Sequence, residues 1–458
     1  MKQININIDD DLPPELIRNL PERAGIYLVG GAVRDAFIGL KYRELDILVT
    51  SLSVSELTSI LRRFGKAEPV GKSFTVIKWF PRGRSGAIDV SIPAYRDFRP
   101  TARHSEEALD PSMTIEDDLG QRDFTANAIA IDLRTKALID PYGGAGDIEA
   151  GILRAVAKNS LEADPLRCLR AAVICARCGF HPDEKTLELI EKTAPKIQTI
   201  APERIAEELR KMLLLPKPSV ALRLCRDWGL LKYFLPELAV CDGVTQEGGW
   251  HASDVFGHLL ATVDSAPPKF PVRLAAMLHD IGKPARRKYL PDRDRAIFYG
   301  HQNLGERMTR KIMSRLLFSK DLTDRVAALV RFHMFTQAQT DKGIRRFVRK
   351  VGADLLEELF ELRFADIEAQ GTDRDKGPDE EFQRRINFVL SAKPPLSAKD
   401  LAIGGDEIMS LLGIEQGPLV GRILEGLLEF VIDDPSKNSP EELIAETRRL
   451  HAKLEPPK

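Results

Sequence analysis

The chain has 458 residues, enough at roughly 150 per domain for about three domains with separate hydrophobic cores. Its 67 Lys and Arg against 68 Asp and Glu leave a formal charge of −1, which excludes a polybasic, histone-like binder as a description of the whole. With 43% hydrophobic, 29% charged and 7% aromatic residues it reads as globular and helix-rich, not as disordered or an all-β sandwich.

The opening MKQININIDDDLPPEL carries no basic stretch followed by an apolar one, so no signal peptide is expected. No run of about eighteen apolar residues predicts a spanning helix, so no membrane partner is expected. The five cysteines, Cys168, Cys175, Cys178, Cys225 and Cys241, are few, odd in number and without framework spacing, which fits a reducing cytoplasm. Cys175-x-x-Cys178 falls in a helical stretch with no second ligand pair at zinc-finger spacing, so these read as buried thiols.

The first 150 or so residues mix strand and helix signals. IYLVG (26–30) predicts a strand running into a Gly-Gly turn, and AVRDAFIGL (32–40) a helix. ELDILVT (44–50), FTVIKWF (74–80) and AIDVSIP (87–93) have the β-branched and alternating character of strands. From about Ala163 onward the pattern is helical, broken by Gly179, Pro182, Pro195, Pro202, Pro216 and Pro236. The fold class expected is α+β: a head with a small mixed β-sheet, then a mostly helical body. Residues 373–380 and 391–400 read as exposed connections that set off a C-terminal helical piece.

At Gly30-Gly31 two glycines permit close backbone approach, and the following helix offers free N–H groups to an anion, with Arg34 one turn in. Glu44 and Asp46 are two apart in an extended segment, so their carboxylates share a face. Two like charges beside an anion-binding turn call for a cation between them, which magnesium bridging to substrate phosphates supplies. Asp89 is a candidate third carboxylate, and a pair of ions about 4 Å apart would activate a 3′-hydroxyl and stabilise leaving pyrophosphate.

Gly30-Gly31-Ala32-Val33-Arg34-Asp35, Glu44-Leu45-Asp46 and Arg122-Asp123-Phe124-Thr125-Ala126-Asn127-Ala128 resemble the class II tRNA nucleotidyltransferases (CCA-adding enzymes) and bacterial poly(A) polymerases. Asp140-Pro141-Tyr142-Gly143-Gly144, Asp164-Pro165-Leu166-Arg167-Cys168-Leu169-Arg170-Ala171 and Pro202-Glu203-Arg204-Ile205 continue the match. The resemblance implies a polymerase-β-like nucleotidyltransferase head in which Glu44 and Asp46 are catalytic and ligate magnesium, with Asp89, from its place in the strand, the third catalytic candidate. It further implies that Gly30, Gly31 and Arg34 hold the triphosphate, and that Arg122, Asp123 and Asn127 bind ribose and triphosphate. Asp164 and Arg167 would read the base edge of CTP or ATP, with Arg170 also on the nucleotide. The chain departs from the family pattern at Glu44, where Asp is usual, at Ala163, where Glu is usual, and at Gln121 and Val173, where arginines are common.

Five of the eight histidines fall between residues 251 and 333: His251, His258, His279, His301 and His333. His258, the His279-Asp280 doublet and Asp366 resemble the HD-domain phosphohydrolases, helical bundles that bind divalent metals. Imidazole with carboxylate suits manganese, nickel or zinc better than magnesium, and His301 and His333 would complete a second metal position or orient a phosphate. The resemblance implies 2′,3′-cyclic phosphodiesterase or phosphatase activity on RNA ends. Lys342, Arg345, Arg346, Arg349 and Lys350, and separately Arg307, Arg310, Lys311 and Arg315, recur at helical spacing and could track RNA phosphates.

The reading is therefore a cytoplasmic enzyme, monomer or homodimer, that builds the 3′-terminal CCA of tRNA from CTP and ATP without a nucleic-acid template. Its expected parts are a catalytic head (1–155), a helical neck (156–240), an HD-type hydrolase (241–390) and a C-terminal helical RNA-binding piece (391–458). The alternatives are a poly(A) polymerase, an enzyme adding only CC or only A, or an RNA-end hydrolase whose head has become an RNA-binding module.

Overall fold

In the computed structural model the β-branched runs of the head become a mixed sheet in the order β3-β4-β5-β2-β1-β6-β7. The strands are β1 (Ile26–Val29), β2 (Asp46–Val49), β3 (Gly65–Val70), β4 (Val76–Pro81), β5 (Ile88–Ser91), β6 (Ala130–Asp132) and β7 (Leu138–Ile139). The structure describes residues 12–41, 45–70, 76–84, 86–93, 112–247, 253–371 and 375–454. Met1–Ala239 and Val240–Lys458 form two units.

β2 and β5 run parallel and the other pairs antiparallel. The register sets Asp46 opposite Asp89 on β5, and opposite Val29 on β1, the residue before the Gly-Gly turn. Leu28, Ile47, Val90, Trp79 and Ile88 share one buried face of the sheet, and Leu48 packs with Val29 and Ala130 on the other. Trp79 also donates its Nε1–H to the Leu61 carbonyl at 3.1 Å. That bond ties the sheet to the helix Val54–Leu61, which starts on a Ser53–Glu56 capping box. β3, GKAEPV, has no strand-like alternation and was not expected; it pairs only with β4, at the sheet edge, where Pro69 is tolerated.

The helices Leu166–Cys178 and Pro202–Leu213 follow in the same unit. Cys168 and Cys175 are buried on the first of them, free, and burial pushes both thiols up to about 12, so they are poor metal ligands.

In the second unit the helices Val255–Ser265, Phe270–Leu278, His301–Arg315, Lys320–Phe332 and Leu356–Ala369 pack into a bundle. Gly282, in the turn after Phe270–Leu278, lies against the start of His301–Arg315: a Cβ there would sit 2.4 Å from the His301 carbonyl oxygen and 3.0 Å from the Gly305 nitrogen. A short hairpin, Lys288–Leu290 with Arg295–Ile297, interrupts what the sequence pattern presents as continuous helix. Among the described residues, no helix is long and apolar enough to cross a membrane.

Two expectations are corrected here. Within 373–380, Asp379 is not part of an exposed connection. It lies buried in the first turn of the helix Gly377–Ser391, where it accepts from Gln337 Nε2 at 2.8 Å and from Arg363 Nε at 3.4 Å.

The basic face of the helix Asp341–Val351 is not an open phosphate track either, because an acidic helix, Pro418–Asp433, covers it. Lys342 pairs with Asp433 at 2.5 Å, Arg346 with Asp433 at 3.0 Å and Glu429 at 3.3 Å, and Arg349 with Glu425 and Glu429. Arg345 caps the Ile432 and Asp433 carbonyls at the acidic helix's C-terminus. On the other basic stretch, Arg310 is taken by Glu306 and Asp324. Ile408, Ile423, Leu427, Val431 and Leu443 give the C-terminal helices a core of their own.

Gly282→Ala is expected to destabilise the second unit by about 1–3 kcal/mol, since the overpacked methyl meets backbone and not a mobile side chain. Scanning calorimetry would show its transition lowered while that of the first unit stays in place.

Candidate active site and metal centre

One cavity of about 590 Å³ in the first unit collects every nucleotide-site residue expected from the sequence that the structure describes. Gly30, Gly31, Arg34, Asp46, Asp89, Arg122, Asp123, Asn127, Asp164, Arg167 and Arg170 all line it. Glu44 and His251 lie outside the described residues, so Asp46 and Asp89 are the carboxylate pair that the fold describes. As register partners on parallel strands they point the same way, with backbones about 4.8 Å apart. Lys78, opposite Asp89 on β4, reaches its carboxylate at 3.6 Å. Gly30 closes β1 with φ +72°, and a Cβ there would meet Arg122 Nη1 at 3.0 Å and Asp46 Oδ2 at 3.4 Å, so only glycine lets the turn lie against both groups.

Behind this wall runs a buried polar chain. Arg177 Nη2 donates to Asp35 Oδ2 at 2.5 Å, and Asp35 Oδ1 accepts from Arg34 Nε at 3.0 Å and Nη2 at 2.6 Å. Arg34 Nη1 donates to Asn127 Oδ1 at 2.7 Å, and Asn127 Nδ2 to Asp123 Oδ1 at 2.9 Å. Arg170 Nη2 stands 2.9 Å from Asp123 Oδ2, paired in charge. Burial opposes ionisation of Asp123, but the Arg170 guanidinium, the Asn127 amide and Arg167 outweigh it and hold the carboxyl at about 2. The chain begins and ends on one helix, at Arg170 and Arg177, and so clamps that helix to the β1 turn. Arg34, expected as a phosphate fork, has its guanidinium engaged inside this network.

Arg167 also lines the cavity, with its guanidinium hydrogen-bonded to the backbone and to Ser160. Its Nη1 donates to the carbonyls of Arg122 at 3.0 Å and Ser160 at 3.2 Å and to Ser160 Oγ at 2.8 Å, while Nη2 donates to the Gln121 carbonyl at 2.7 Å. Arg122 donates to Asp118 Oδ2 through Nε at 3.0 Å and Nη2 at 2.8 Å. The guanidinium that meets Asp164 comes from Arg204, with Nη2 2.7 Å from Oδ2.

Arg177, Arg204, Glu208 and Lys211 line the cavity without having been expected there. Two signals were available: Arg177 lies seven residues from Arg170, and Arg204, Glu208 and Lys211 repeat at four and three, one helical face.

In the second unit Asp280 joins two groups of imidazoles. Its Oδ2 lies 3.3 Å from His279 Nε2, 3.6 Å from His258 Nε2 and 2.6 Å from Lys283 Nζ. Its Oδ1 lies 3.0 Å from His301 Nε2 and 3.6 Å from His333 Nε2. Asp366 Oδ1 adds a carboxylate 3.1 Å from His258 Nε2. All six ligand candidates are buried.

The Nδ1 atoms of His279, His301 and His333 each lie 2.8 Å from a carbonyl oxygen three residues back, on Ala276, Phe298 and Val330. A carbonyl cannot donate, so each Nδ1 carries the proton and, in the neutral ring, each Nε2 carries a lone pair toward the centre. His301 and His333 then face each other, lone pair to lone pair, at 3.4 Å. A cation between them resolves that repulsion, and an imidazole–carboxylate donor set fits a divalent transition metal. Burial opposes ionisation of Asp280, but Lys283 and His279 hold its carboxyl well below the usual range. Burial lowers His333, whereas Asp280 and Asp366 overcome burial and raise His279.

Comparison with known proteins finds both kinds of domain. Residues 26–154 match the poly A polymerase head domain, 179–241 the probable RNA- and SrmB-binding site of polymerase A, and 257–370 the HD domain. The A-adding tRNA nucleotidyltransferase of Deinococcus radiodurans is 32% identical, covering 89% of this chain and 92% of its own. The CC-adding tRNA nucleotidyltransferase of Thermus thermophilus is 34% identical, covering 88% of each. The multifunctional CCA protein of Xanthomonas campestris is 34% identical, covering 87% of this chain and 96% of its own. In fold, the chain is similar to the CCA-adding enzyme of Bacillus stearothermophilus solved with CTP, at TM-score 0.68, 21% identity and 96% coverage of both chains. A catalytic-type cavity on a mixed sheet, a buried histidine–aspartate centre and this likeness along nearly the full length together place the chain in the tRNA nucleotidyltransferase family.

Proposed function

We propose that the cavity of the first unit adds C and A residues to the 3′ end of tRNA from CTP and ATP, completing the CCA terminus. The observation that carries this reading is the in-register pair Asp46 and Asp89 beside the Gly30 turn, on the wall of a cavity otherwise rich in arginine. Their hard oxygens suit magnesium, which when bound supplies charge stabilisation at the reacting phosphate. The chain's own residues orient the reactants. Gly30 leaves room for the triphosphate against the backbone, and the half-exposed cations Arg170 and Lys211 face its charge. The tRNA 3′-hydroxyl then forms a bond to the α-phosphorus as the bond to pyrophosphate breaks.

We further propose that His258, His279, Asp280 and Asp366, with His301 and His333, hold a divalent metal such as manganese, nickel or zinc and hydrolyse phosphoesters at RNA ends. The carbonyl-locked Nδ1 protons support this reading, because they leave Nε2 atoms available as ligands. In this account residues 1–155 are the catalytic head, 156–240 the neck, 241–390 the hydrolase and 391–458 a C-terminal piece.

Asp46→Ala and Asp89→Ala should each lower incorporation of labelled CMP into tRNA lacking CCA by at least about a hundredfold, since even outer-shell changes at metal sites cost about 10–100-fold. Unchanged rates would reject the site, and long runs of A from ATP alone would make the enzyme a poly(A) polymerase.

Asp280→Asn should abolish hydrolysis of a 2′,3′-cyclic phosphate and lower bound transition metal by elemental analysis while CMP incorporation persists. Hydrolysis that survives the substitution rejects the second centre.

Asp123 has a folded value below its usual 3.8, so its stabilisation is full above about pH 4 and fades as pH falls toward 2. The unfolding free-energy gap between wild type and Asp123→Asn, on the order of 2 kcal/mol from this group, should therefore be flat above pH 4 and shrink below it.

A further inference from the structure

The hairpin of the second unit, Lys288–Leu290 with Arg295–Ile297, is flanked in sequence by Asp280 and His301, two of the buried metal-ligand candidates. Its base is fixed. The Ala296 N–H donates to the Glu247 carbonyl at 3.1 Å, Arg287 pairs with Glu247 at 2.5 Å, and the Phe298 carbonyl accepts the His301 Nδ1–H at 2.8 Å. Its outer charges are left open. Arg286, Lys288, Arg293 and Arg295 are exposed, and among the described residues none of the four has an ion-pair partner. Arg310, Lys342, Arg346 and Arg349, by contrast, are all taken by carboxylates. Two aromatic rings stand among the open cations. Tyr299 is 81% exposed and lies two residues before His301. Tyr289 is 42% exposed, with its hydroxyl on Asp294 Oδ1 at 2.6 Å. Its partner across the hairpin, Ala296, is five residues before His301, at most about 18 Å of chain away.

We propose that this hairpin is the docking surface for the single-stranded 3′ end of an RNA, and that it makes the Asp280 centre select RNA ends over free nucleotides. That assignment rests on the phosphoesterase reading of the Asp280 centre. Four uncompensated cations attract a phosphodiester backbone, and exposed rings offer faces on which successive bases stack whatever their sequence. Charge and ring together narrow the occupant. A polyphosphate or an acidic peptide answers the cations and has no base to lay on a tyrosine. A duplex has its bases stacked on one another and offers its backbone and shape instead. A single strand supplies both features, and its last few nucleotides match the short run of chain between Tyr289 and His301. A free cyclic nucleotide can reach the metal ligands but cannot also span the hairpin, so the hairpin adds affinity for the longer substrate alone. Because Phe298 holds His301 in place, the strand that carries the rings is fixed to the centre it would serve.

The test uses the full chain loaded with manganese and two substrates, a short single-stranded RNA ending in a 2′,3′-cyclic phosphate and 2′,3′-cyclic CMP. Wild type should favour the RNA in kcat/KM, through a lower KM. Lys288→Ala, Arg293→Ala and Arg295→Ala combined should raise KM for the RNA. The slope of log KM against log salt should also fall by about 2, at about 0.7 per charge removed. Tyr299→Ala should raise the same KM at least about fivefold, the worth of one base–aromatic stack, and Tyr299→Phe should restore it, since stacking needs the ring. In every variant kcat on the RNA and both constants for cyclic CMP should stay at wild-type values. An unchanged KM for the RNA, or an equal loss on both substrates, would overturn the proposal. So would a wild type that prefers cyclic CMP, or one for which duplex RNA competes as well as single strand. Photo-crosslinking gives a readout apart from hydrolysis: 4-thiouridine beside the RNA 3′ end should attach within residues 286–299, mapped by mass spectrometry. If wild type hydrolyses neither substrate, the phosphoesterase reading fails and the cross-link decides. Attachment there that the triple variant and Tyr299→Ala lose upholds the docking surface, and attachment only elsewhere overturns it.

Discussion

Groups that repel each other, held side by side, are the constraint on which both centres depend. Asp46 and Asp89 are register partners on parallel strands, and His301 and His333 face each other through Nε2 at 3.4 Å. Neither arrangement lowers the energy of the fold by itself, because like charges and facing lone pairs are unfavourable at such separations. Each is imposed by stronger elements nearby. β2 and β5 are held by buried Ile47, Leu48, Ile88 and Val90, and the histidine rings by Nδ1–H bonds to carbonyls one turn back. A cation placed between such groups would turn that cost into affinity.

The arginines of the first unit divide into two kinds by the same logic. Arg34, Arg167 and Arg177 are buried or nearly so, and hydrogen-bond to Asp35, Asn127 and backbone carbonyls. They build the wall. Arg170 and Arg204 keep 44% and 49% of their side chains exposed, each with one contact to a buried carboxylate, Asp123 or Asp164. They are braced on one side and open on the other, the arrangement that preorganises a cation for a phosphate or a base edge without a large ordering cost on binding.

Much of this was legible in the sequence because it is local. The Gly30-Gly31 turn and the β2 carboxylate declare themselves by spacing and the 122–127 string by its resemblance to the family, and the fold brings them to one cavity. What was not legible depends on partners far along the chain. Nothing in GKAEPV announces a strand, since an edge position asks little of its residues. The run Lys342–Lys350 reads as a phosphate track only while the acidic face of Pro418–Asp433, some eighty residues later, is out of view. That Arg204, and not Arg167, meets the Asp164 carboxylate was hidden for a similar reason: i, i+3 spacing says which side chains share a face, and says nothing of a carbonyl waiting below it. The near-zero net charge is the sum of such pairings and describes neither site.

The most direct measurement is a crystal structure of the enzyme with manganese and a non-hydrolysable CTP analogue, with anomalous scattering used to place the metal. The account predicts anomalous density between Asp46 and Asp89, with the triphosphate against the Gly30 turn and the cytosine edge toward Asp164. A nucleotide bound elsewhere, or one seated in the cavity with no metal at Asp46 and Asp89, would contradict it.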